Sequence, residues 1–418
     1  MINDLRAQQG LDLPFLLAAC GLVAWGLVLV ASASVAVSEK LTGAPLHFFY
    51  KQLTFAFVGL SCGAFAFCVP MSAWERSGYL LLMFALLLLV LVLIPGLGIG
   101  VNGSRRWLHL AGFRLQASEP ARLALMIYLA GYIVRKQVAL QNSFAGIIKP
   151  LLPLCLASGL MLMEPDLGST AILMGTAMLM LFLGGARLVY LALMLGAGAG
   201  AFALLVATSA YRMRRLLAFS DPFADIENGG WQLAQSLIAL GRGEWIGVGL
   251  GNSVQKLLYL PETHTDFIFA VMGEEFGLVG VVVLLALFGV LVWRGFVIAR
   301  RAEKFNRRFR AYLCYGLSAC LGMQALINMA VNMGLLPTKG LTLPLISYGG
   351  SSLMTVFVML GLMLRVDHEN RLEAAGAPSG AFAAKAREHA APAKRVLKSR
   401  RPAWDPRQIS LFGGGESS

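Results

Sequence analysis

Charged residues are scarce in this sequence. Asp, Glu, Lys and Arg make up 14% of its 418 residues, whereas soluble domains carry roughly 25%. Hydrophobic residues account for 57%, and the mean hydropathy is +0.70. This balance excludes an ordinary soluble domain and predicts a protein embedded in a membrane.

Sequence signatures of redox, metal and nucleotide chemistry are also missing. The six cysteines lie in apolar stretches and form no CxxC pair, so neither a disulfide nor a metal role is expected. The five histidines show no HExxH spacing. The glycines between Gly241 and Gly251 are not followed by Lys-Ser or Lys-Thr, as they would be in a phosphate loop.

Long apolar runs occupy most of the chain instead. A window of about 20 apolar residues is long enough to cross a bilayer as a helix. Such windows predict an all-α polytopic membrane protein with ten transmembrane helices, near 13–36, 47–69, 78–97, 118–135, 147–164, 167–184, 188–208, 268–293, 311–333 and 349–365. A tight turn at Glu164-Pro165-Asp166 is expected to separate the fifth helix from the sixth, because proline and carboxylates are costly in lipid.

The basic residues predict the orientation. In a soluble protein the net charge of +13 would suggest nucleic acid, but here it indicates cytoplasmic loops that meet anionic lipid, so no nucleic acid is expected. Ten spans place the cluster 300–310 and the tail 366–418 on one side, so both termini are predicted to be cytoplasmic. We therefore expect a membrane domain over 1–365 and a basic, disordered cytoplasmic tail over 366–418.

The long stretch 209–267 between the seventh and eighth predicted helices is expected to be a large structured extracytoplasmic loop. Loops of this length are usually functional or disordered. Amphipathic patterns at 231–240 and 254–258 predict two helices, which would lie at the membrane interface or fold back over the bundle.

Asp266 ends this loop and is the leading candidate for chemistry. It could simply start the next helix, with Thr263 or Thr265 as the N-cap. However, Glu262 and His264 lie beside it, at the mouth of the expected membrane cavity. Ionisable groups at such a depth favour a functional interpretation.

Basic residues on the predicted outer side run against the usual distribution. Any one of them could be a solvated or headgroup-facing side chain, but together they indicate an anionic ligand such as phosphate or pyrophosphate. They are Arg105, Arg106, Arg114, Arg122, Arg212, Arg214, Arg215, Arg242 and Lys256.

Further polar residues lie within or next to the predicted helices. Glu119 and Arg122 share a helix face and are expected to pair, which would be structural or would shape the cavity. At least one of Glu274 and Glu275 must face the bundle interior. The serines at 351 and 352, beside two glycines, offer hydroxyls to a tight turn or to a ligand.

Six short motifs in this order resemble the SEDS (shape, elongation, division and sporulation) family of bacterial cell-wall glycosyltransferases, over nearly the whole chain to about residue 370. They are Gly103-Ser-Arg-Arg-Trp107, Gln116-Ala-Ser-Glu119, Pro165-Asp-Leu-Gly168, the run from Leu260 to Ala270, Gly273-Glu-Glu-Phe-Gly277 and Pro344-Leu-Ile-Ser-Tyr-Gly-Gly-Ser-Ser352. The segments 212–223 and 241–256 look like the division branch of the family, and the elongation branch is the nearest alternative.

The resemblance implies a peptidoglycan polymerase that joins lipid II units by inverting glycosyl transfer and releases undecaprenyl pyrophosphate. Asp266 would be the general base. A divalent cation (Mg²⁺ or Mn²⁺) is left open as an aid to the leaving group. The residues expected to bind substrate are Arg105, Arg106, Arg212, Arg214, Arg215, Lys256, Glu262, His264, Ser351 and Ser352, and those expected to shape the cavity are Glu119, Arg122, Glu274 and Glu275.

The resemblance also implies a location and partners. The location is the bacterial inner membrane at the division septum, and the partners are a class B penicillin-binding protein (the division transpeptidase FtsI) and the FtsQ–FtsL–FtsB complex. Two alternatives from other functional classes remain. A lipid II flippase would suit the intramembrane charges, although no inverted repeat of broken helices is evident. A noncatalytic scaffold that recruits the transpeptidase would leave the outer carboxylate and arginines unexplained.

Overall fold

The computed structural model describes residues 11–101, 104–110, 113–208, 213, 222–223, 230–257, 259–337 and 340–376. The described residues up to 371 belong to one compact unit. The helices are α1 (Leu13–Thr42), α2 (His47–Cys68), α3 (Met71–Arg76), α4 (Gly78–Leu93), α5 (Ser118–Arg135), α6 (Gln137–Asn142), α7 (Phe144–Met163), α8 (Leu167–Leu183), α9 (Leu188–Ala207), α10 (Trp231–Gly243), α11 (Ile268–Lys304), α12 (Arg308–Asn332) and α13 (Gly350–Ala374).

Each of the ten ranges predicted to be helical contains a helix. Within the described residues, six of them are long and apolar enough to cross a membrane, and α4, α8 and the first part of α9 are shorter apolar helices. The remaining one, α5, is buried on nearly every face. It can therefore carry Glu119 and Arg122, because its side chains meet other helices rather than lipid.

A small sheet between α4 and α5 corrects the all-α expectation. Its strands are β1 (Gly98–Val101), β2 (Ser104–Leu110) and β3 (Phe113–Gln116), paired antiparallel in the order β1-β2-β3. Side chains alternate across a strand, so Arg105 is exposed, whereas Arg106 lies half-buried on the same face as the buried Leu108. Only one of the two adjacent arginines therefore faces the protein.

Helix α11 is broken at Gly277, whose φ of 63° and ψ of −161° are not helical. The segment after α10 fills the break: the amides of Val248 and Gly249 donate to the carbonyls of Glu274 and Glu275, and the amide of Leu278 donates to the carbonyl of Glu244. These bonds satisfy backbone groups that a broken helix leaves free. The break therefore anchors the segment after α10 to the bundle.

The predicted outer loop is only partly described. Of its two predicted amphipathic helices, α10 is confirmed, and it packs on α11 and α12. The prediction of a helix around Val254 is wrong, because the described residues there form turns. Their geometry is imposed by the Glu274 carboxylate, which accepts hydrogen bonds from the amides of Val254 (3.1 Å) and Gln255 (3.4 Å).

Candidate active site

Asp266 lies two residues before α11, but it does not cap that helix. The N-cap is Phe267, and no side chain makes a capping bond there. Thr265, the other candidate cap, donates its hydroxyl to Glu262 instead, at 2.7 Å. The prediction of Thr263 or Thr265 as the N-cap of this helix is therefore wrong.

The backbone of Asp266 is held from α12. Its carbonyl accepts hydrogen bonds from the side-chain amides of Asn328 and Asn332, each at 3.0 Å. The same Asn328 amide also reaches the carbonyl of Leu341. The loop that carries Asp266 and the loop that follows α12 are thus tied to one helix face.

The side chains of Asp266 and Arg106 converge beside Gly340. A Cβ placed on Gly340 would lie 3.1 Å from Asp266 Oδ2 and 3.7 Å from Arg106 Nη1. A larger residue would thus crowd both groups, and glycine leaves room for them. Among the described residues, no donor hydrogen-bonds the Asp266 carboxylate, so its oxygens face the space near Arg106 and Gly340.

Arg106 is aimed by the turn between α7 and α8. Its Nε donates to the carbonyl of Glu164 at 3.0 Å, and its Nη2 donates to the carbonyl of Pro165. Asp166, the next residue, caps α8 by accepting from the amide of Ser169, at 3.1 Å. Two neutral carbonyls therefore orient the guanidinium and leave its positive charge available to anions nearby.

The electrostatic setting suits proton transfer near neutral pH. Burial, with the negative charges of Glu262 and Asp166, raises the pKa of Asp266 to about 7 against the opposing effect of Arg106. A carboxyl group with such a pKa can accept a proton at neutral pH and is then neutral itself. His264 differs, because burial lowers its pKa despite Glu262, and it is therefore an uncharged ring.

His264 and Glu262 take different places around Asp266. The His264 ring is buried against Phe48 and Tyr348, with centroids 4.9 and 5.5 Å away, and its carbonyl accepts from the Tyr348 amide. Glu262 is exposed. His264 thus packs the segment that carries Asp266 onto the helices, whereas Glu262 contributes negative charge at the exposed edge of the site.

The pair Glu119–Arg122 and the two serines form a buried network behind the site. The Arg122 guanidinium meets Glu119 at 2.6 Å and Gln324 at 2.7 Å. The Ser352 hydroxyl accepts from Thr342 at 3.0 Å, and Ser351 is buried as well. The predicted ion pair is present within α5, and the hydrogen bond from Arg122 to Gln324 joins α5 to α12. Both serines lie inside the protein.

Lys256, Glu274 and Glu275 belong to a second buried cluster. Lys256 Nζ lies 2.9 Å from Glu275, and the Ser32 hydroxyl of α1 donates to the same carboxylate at 2.7 Å. Glu274 pairs with Arg242 at 2.9 Å. Both glutamates face the interior. The charge of Lys256, which was predicted to bind pyrophosphate, is already matched within the protein.

Several residues of the site were not predicted individually from the sequence. They are Glu164, Asp166, Asn328, Asn332 and Gly340. Two signals were available. Asn328 and Asn332 are four residues apart in an apolar helix, and polar residues at such spacing mark an inward face. Asp166 immediately precedes a helix, where a carboxylate can cap.

Other predicted contributors cannot be placed. Arg212, Arg214 and Arg215 lie outside the described residues, as does the tail from 377. In the part of the chain that the structure covers, no three His, Cys, Asp or Glu side chains are grouped so as to hold a metal ion. The described site therefore provides no ligand set for the divalent cation considered from the sequence.

Comparison with known proteins identifies the family. The model of the Cell cycle protein family FtsW/RodA/SpoVE matches residues 13–372. The chain belongs to this family. The family predicted from the motifs is thus confirmed.

Two FtsW relatives align over most of the chain. The probable peptidoglycan glycosyltransferase FtsW of Thioalkalivibrio sulfidiphilus is 51% identical over 366 residues, which cover 88% of this chain and 92% of that protein. The protein of the same name from Legionella pneumophila is 50% identical over 356 residues, covering 85% and 90%.

Solved structures of this family share the fold. One is a chain from a structure of a peptidoglycan synthase complex, with a TM-score of 0.72 and 30% identity, covering 87% of this chain and 98% of that one. Another is the rod shape determining protein RodA of Thermus thermophilus, with a TM-score of 0.64 and 27% identity, covering 86% and 98%.

Proposed function

We propose that this chain is a peptidoglycan glycosyltransferase that polymerises lipid II during cell division, with Asp266 as the general base. The relatives named as probable peptidoglycan glycosyltransferases support the enzyme class expected from the sequence. The observation that carries the assignment of the base is the position of the Asp266 carboxylate beside Arg106, with no hydrogen-bond donor among the described residues and with a pKa near neutrality.

The reaction uses these groups as follows. The 4-hydroxyl of the acceptor GlcNAc attacks the anomeric carbon of the donor MurNAc and forms the new C–O bond with inversion. The bond from that carbon to the pyrophosphate oxygen breaks, and undecaprenyl pyrophosphate leaves with the electron pair. The hydroxyl proton passes to Asp266. Arg106 stabilises developing negative charge near the reacting centre.

The setting in the cell follows from the same assignment. We place the chain in the inner membrane at the division septum, with ten spans and both termini in the cytoplasm, so that Asp266 faces outward. The match to a chain from a peptidoglycan synthase complex supports a class B penicillin-binding protein as partner. The FtsQ–FtsL–FtsB complex and lipid II itself are proposed from the division-branch resemblance.

The test is reconstitution of the purified chain with its penicillin-binding partner in liposomes that contain lipid II. We expect Asp266→Asn to reduce glycan-strand formation by a factor on the order of 10² to 10⁴, because an amide cannot accept the hydroxyl proton. Glu39→Gln makes the same chemical change at an exposed position at the end of α1 and should polymerise like the parent chain. Strand length and yield are measured by gel electrophoresis.

Three results would contradict the proposal. Polymerisation by Asp266→Asn at the parent rate would exclude Asp266 as the base. Transport of lipid II across the liposome membrane without any polymer would favour a flippase. Binding of the penicillin-binding partner by a parent chain that neither polymerises nor transports would favour a scaffold.

A further inference from the structure

Glu164 is a buried carboxyl group beside the candidate active site that the proposed reaction does not use. Its side chain is 0% exposed. Neither carboxylate oxygen has a hydrogen-bond partner among the described residues. An ionised carboxylate without donors in such a place is costly, whereas the protonated group is tolerated. The geometry therefore favours a neutral Glu164.

The surroundings of Glu164 connect it to Arg106 and Asp266. The backbone carbonyl of Glu164 accepts a hydrogen bond from Arg106 Nε at 3.0 Å, so Glu164 helps to hold the guanidinium in position. The charged groups that act on its carboxyl are Asp166 on the same turn and Arg106 on β2. The Asp266 carboxylate and the Arg106 guanidinium come together beside Gly340.

Ionisation of Glu164 would change this charge balance. Arg106 already faces the negative charge of Asp266. A further anion beside Arg106 would neutralise its positive charge and would disfavour negative charge on the leaving group. Conversely, a neutral side chain fills the same space and leaves the charge of Arg106 unchanged.

We infer that Glu164 is a positioning residue that works in its neutral form: it supports the turn that aims Arg106 and keeps the positive charge of Arg106 for Asp266 and the departing pyrophosphate. Burial, together with the Asp166 carboxylate and against Arg106, raises the pKa of Glu164 to about 8. This inference rests on the proposed polymerase function, because it assigns Glu164 a part in that reaction.

The pH dependence of the proposed reaction then has two limbs. The rate rises as Asp266 loses its proton near its pKa of about 7, because only the carboxylate is a base. It falls again as Glu164 ionises near its pKa of about 8. For the parent chain we expect a loss of roughly fivefold between about pH 7.5 and about pH 9.

Glu164→Gln tests this directly, since glutamine has the shape of the neutral acid and cannot ionise. We expect this variant to match the parent rate near neutral pH and to show no decline in rate up to about pH 9. Glu39→Gln, assayed over the same pH range, should keep the alkaline decline of the parent. A merely structural role for Glu164 would change the rate at every pH without removing the alkaline limb.

An infrared measurement gives a second readout that does not need polymerisation. The difference spectrum between the parent chain and Glu164→Gln at neutral pH should contain the carbonyl band of a protonated carboxylic acid, and this band should vanish at alkaline pH. Absence of the band at neutral pH would overturn the neutral state.

The two assays separate the possible failures. An unchanged alkaline decline in Glu164→Gln, or a folded variant that is inactive at every pH, would overturn the positioning role. If the parent chain makes no glycan while the infrared band is present, the proposed polymerase function is wrong. The role of Glu164 in that reaction is then wrong as well, whereas the neutral state of Glu164 is supported.

Discussion

At the scale of the residue, Asp266 is held in place at the expense of stability. Its carbonyl is bound by two asparagines of α12, whereas its carboxylate has no donor among the described residues. Burial and nearby anions favour the protonated form of Asp266. Ionisation of this group in the folded protein therefore lowers the free energy of unfolding. Such a cost is typical of a group that is poised for chemistry rather than for packing.

Replacement of Asp266 by Asn should therefore stabilise the protein while it strongly reduces activity. The folded-state pKa is raised to about 7 from an ordinary value of 3.8. The penalty is thus complete above pH 7 and shrinks as the pH falls towards 4. At pH 8 we expect a gain of roughly 1–2 kcal/mol, less than the full shift implies because the group is only half-buried.

The measurement is the thermal unfolding midpoint of both proteins in detergent at pH 8 and near pH 4.5. A higher midpoint for Asp266→Asn at pH 8, with a smaller difference at the lower pH, is the expected pattern. A lower midpoint at pH 8 would indicate that the carboxylate is stabilised by a partner, contrary to its environment in the structure.

At the scale of the element, the break in α11 decides how the segment after α10 meets the bundle. The backbone angles of Gly277 fall in a region that is essentially restricted to glycine. A Cβ there would lie 2.4 Å from the Gly247 nitrogen, and one on Gly247 would lie 2.2 Å from the Glu275 carbonyl oxygen. The close approach of two backbones thus requires glycine at both positions.

Gly277→Ala should weaken this junction. Both the backbone conformation and the contact with Gly247 oppose a methyl group, so we expect a loss of about 2–3 kcal/mol. Gly289→Ala, in the same helix, is the matched control, because a Cβ there meets nothing within 4 Å. The control should be neutral or slightly stabilising. Equal unfolding midpoints for the two variants would show that the break does not depend on Gly277.

The same element shows why the roles of charged residues were hard to predict. At least one of Glu274 and Glu275 was expected to face inward, because lipid exposure of both carboxylates is too costly, and both are buried. Their partners were not predictable, since Lys256, Arg242 and Ser32 come from other segments. Lys256 was assigned to a ligand because its basic charge was visible in the sequence and its buried partner was not.

At the scale of the whole molecule, the testable consequence is the sidedness of the chain. If α1, α2, α4, α5, α7, α8, α9, α11, α12 and α13 all cross the membrane, position 251 lies outside and both termini lie inside. The basic cluster near Arg300–Arg310 favours this orientation. We expect green fluorescent protein fused after residue 376 to fluoresce, and alkaline phosphatase fused after residue 251 to be active.

The reciprocal fusions are the controls and should be inactive. Phosphatase activity after residue 376 would mean that the number of spans between the two positions is even rather than three. The predicted count of ten would then be wrong, whereas the family and the position of Asp266 in the sequence would be unaffected.

The sequence by itself determined the membrane class, the ten helical ranges and the family. Hydrophobic insertion depends on local composition and length, and short motifs are local too. It also put forward Asp266 as the candidate base and Arg106 as one of several basic candidates, because a carboxylate before an apolar helix and basic residues on the predicted outer side are visible in one dimension.

Only the tertiary structure decided which groups meet. It brought Arg106 to the turn at Glu164 and next to Asp266 and Gly340, paired Lys256 with Glu275, and broke α11 at Gly277. It also added the β1-β2-β3 sheet that orients Arg106. These arrangements join residues far apart in the chain, and their energies depend on burial and partners that exist only after the helices have packed.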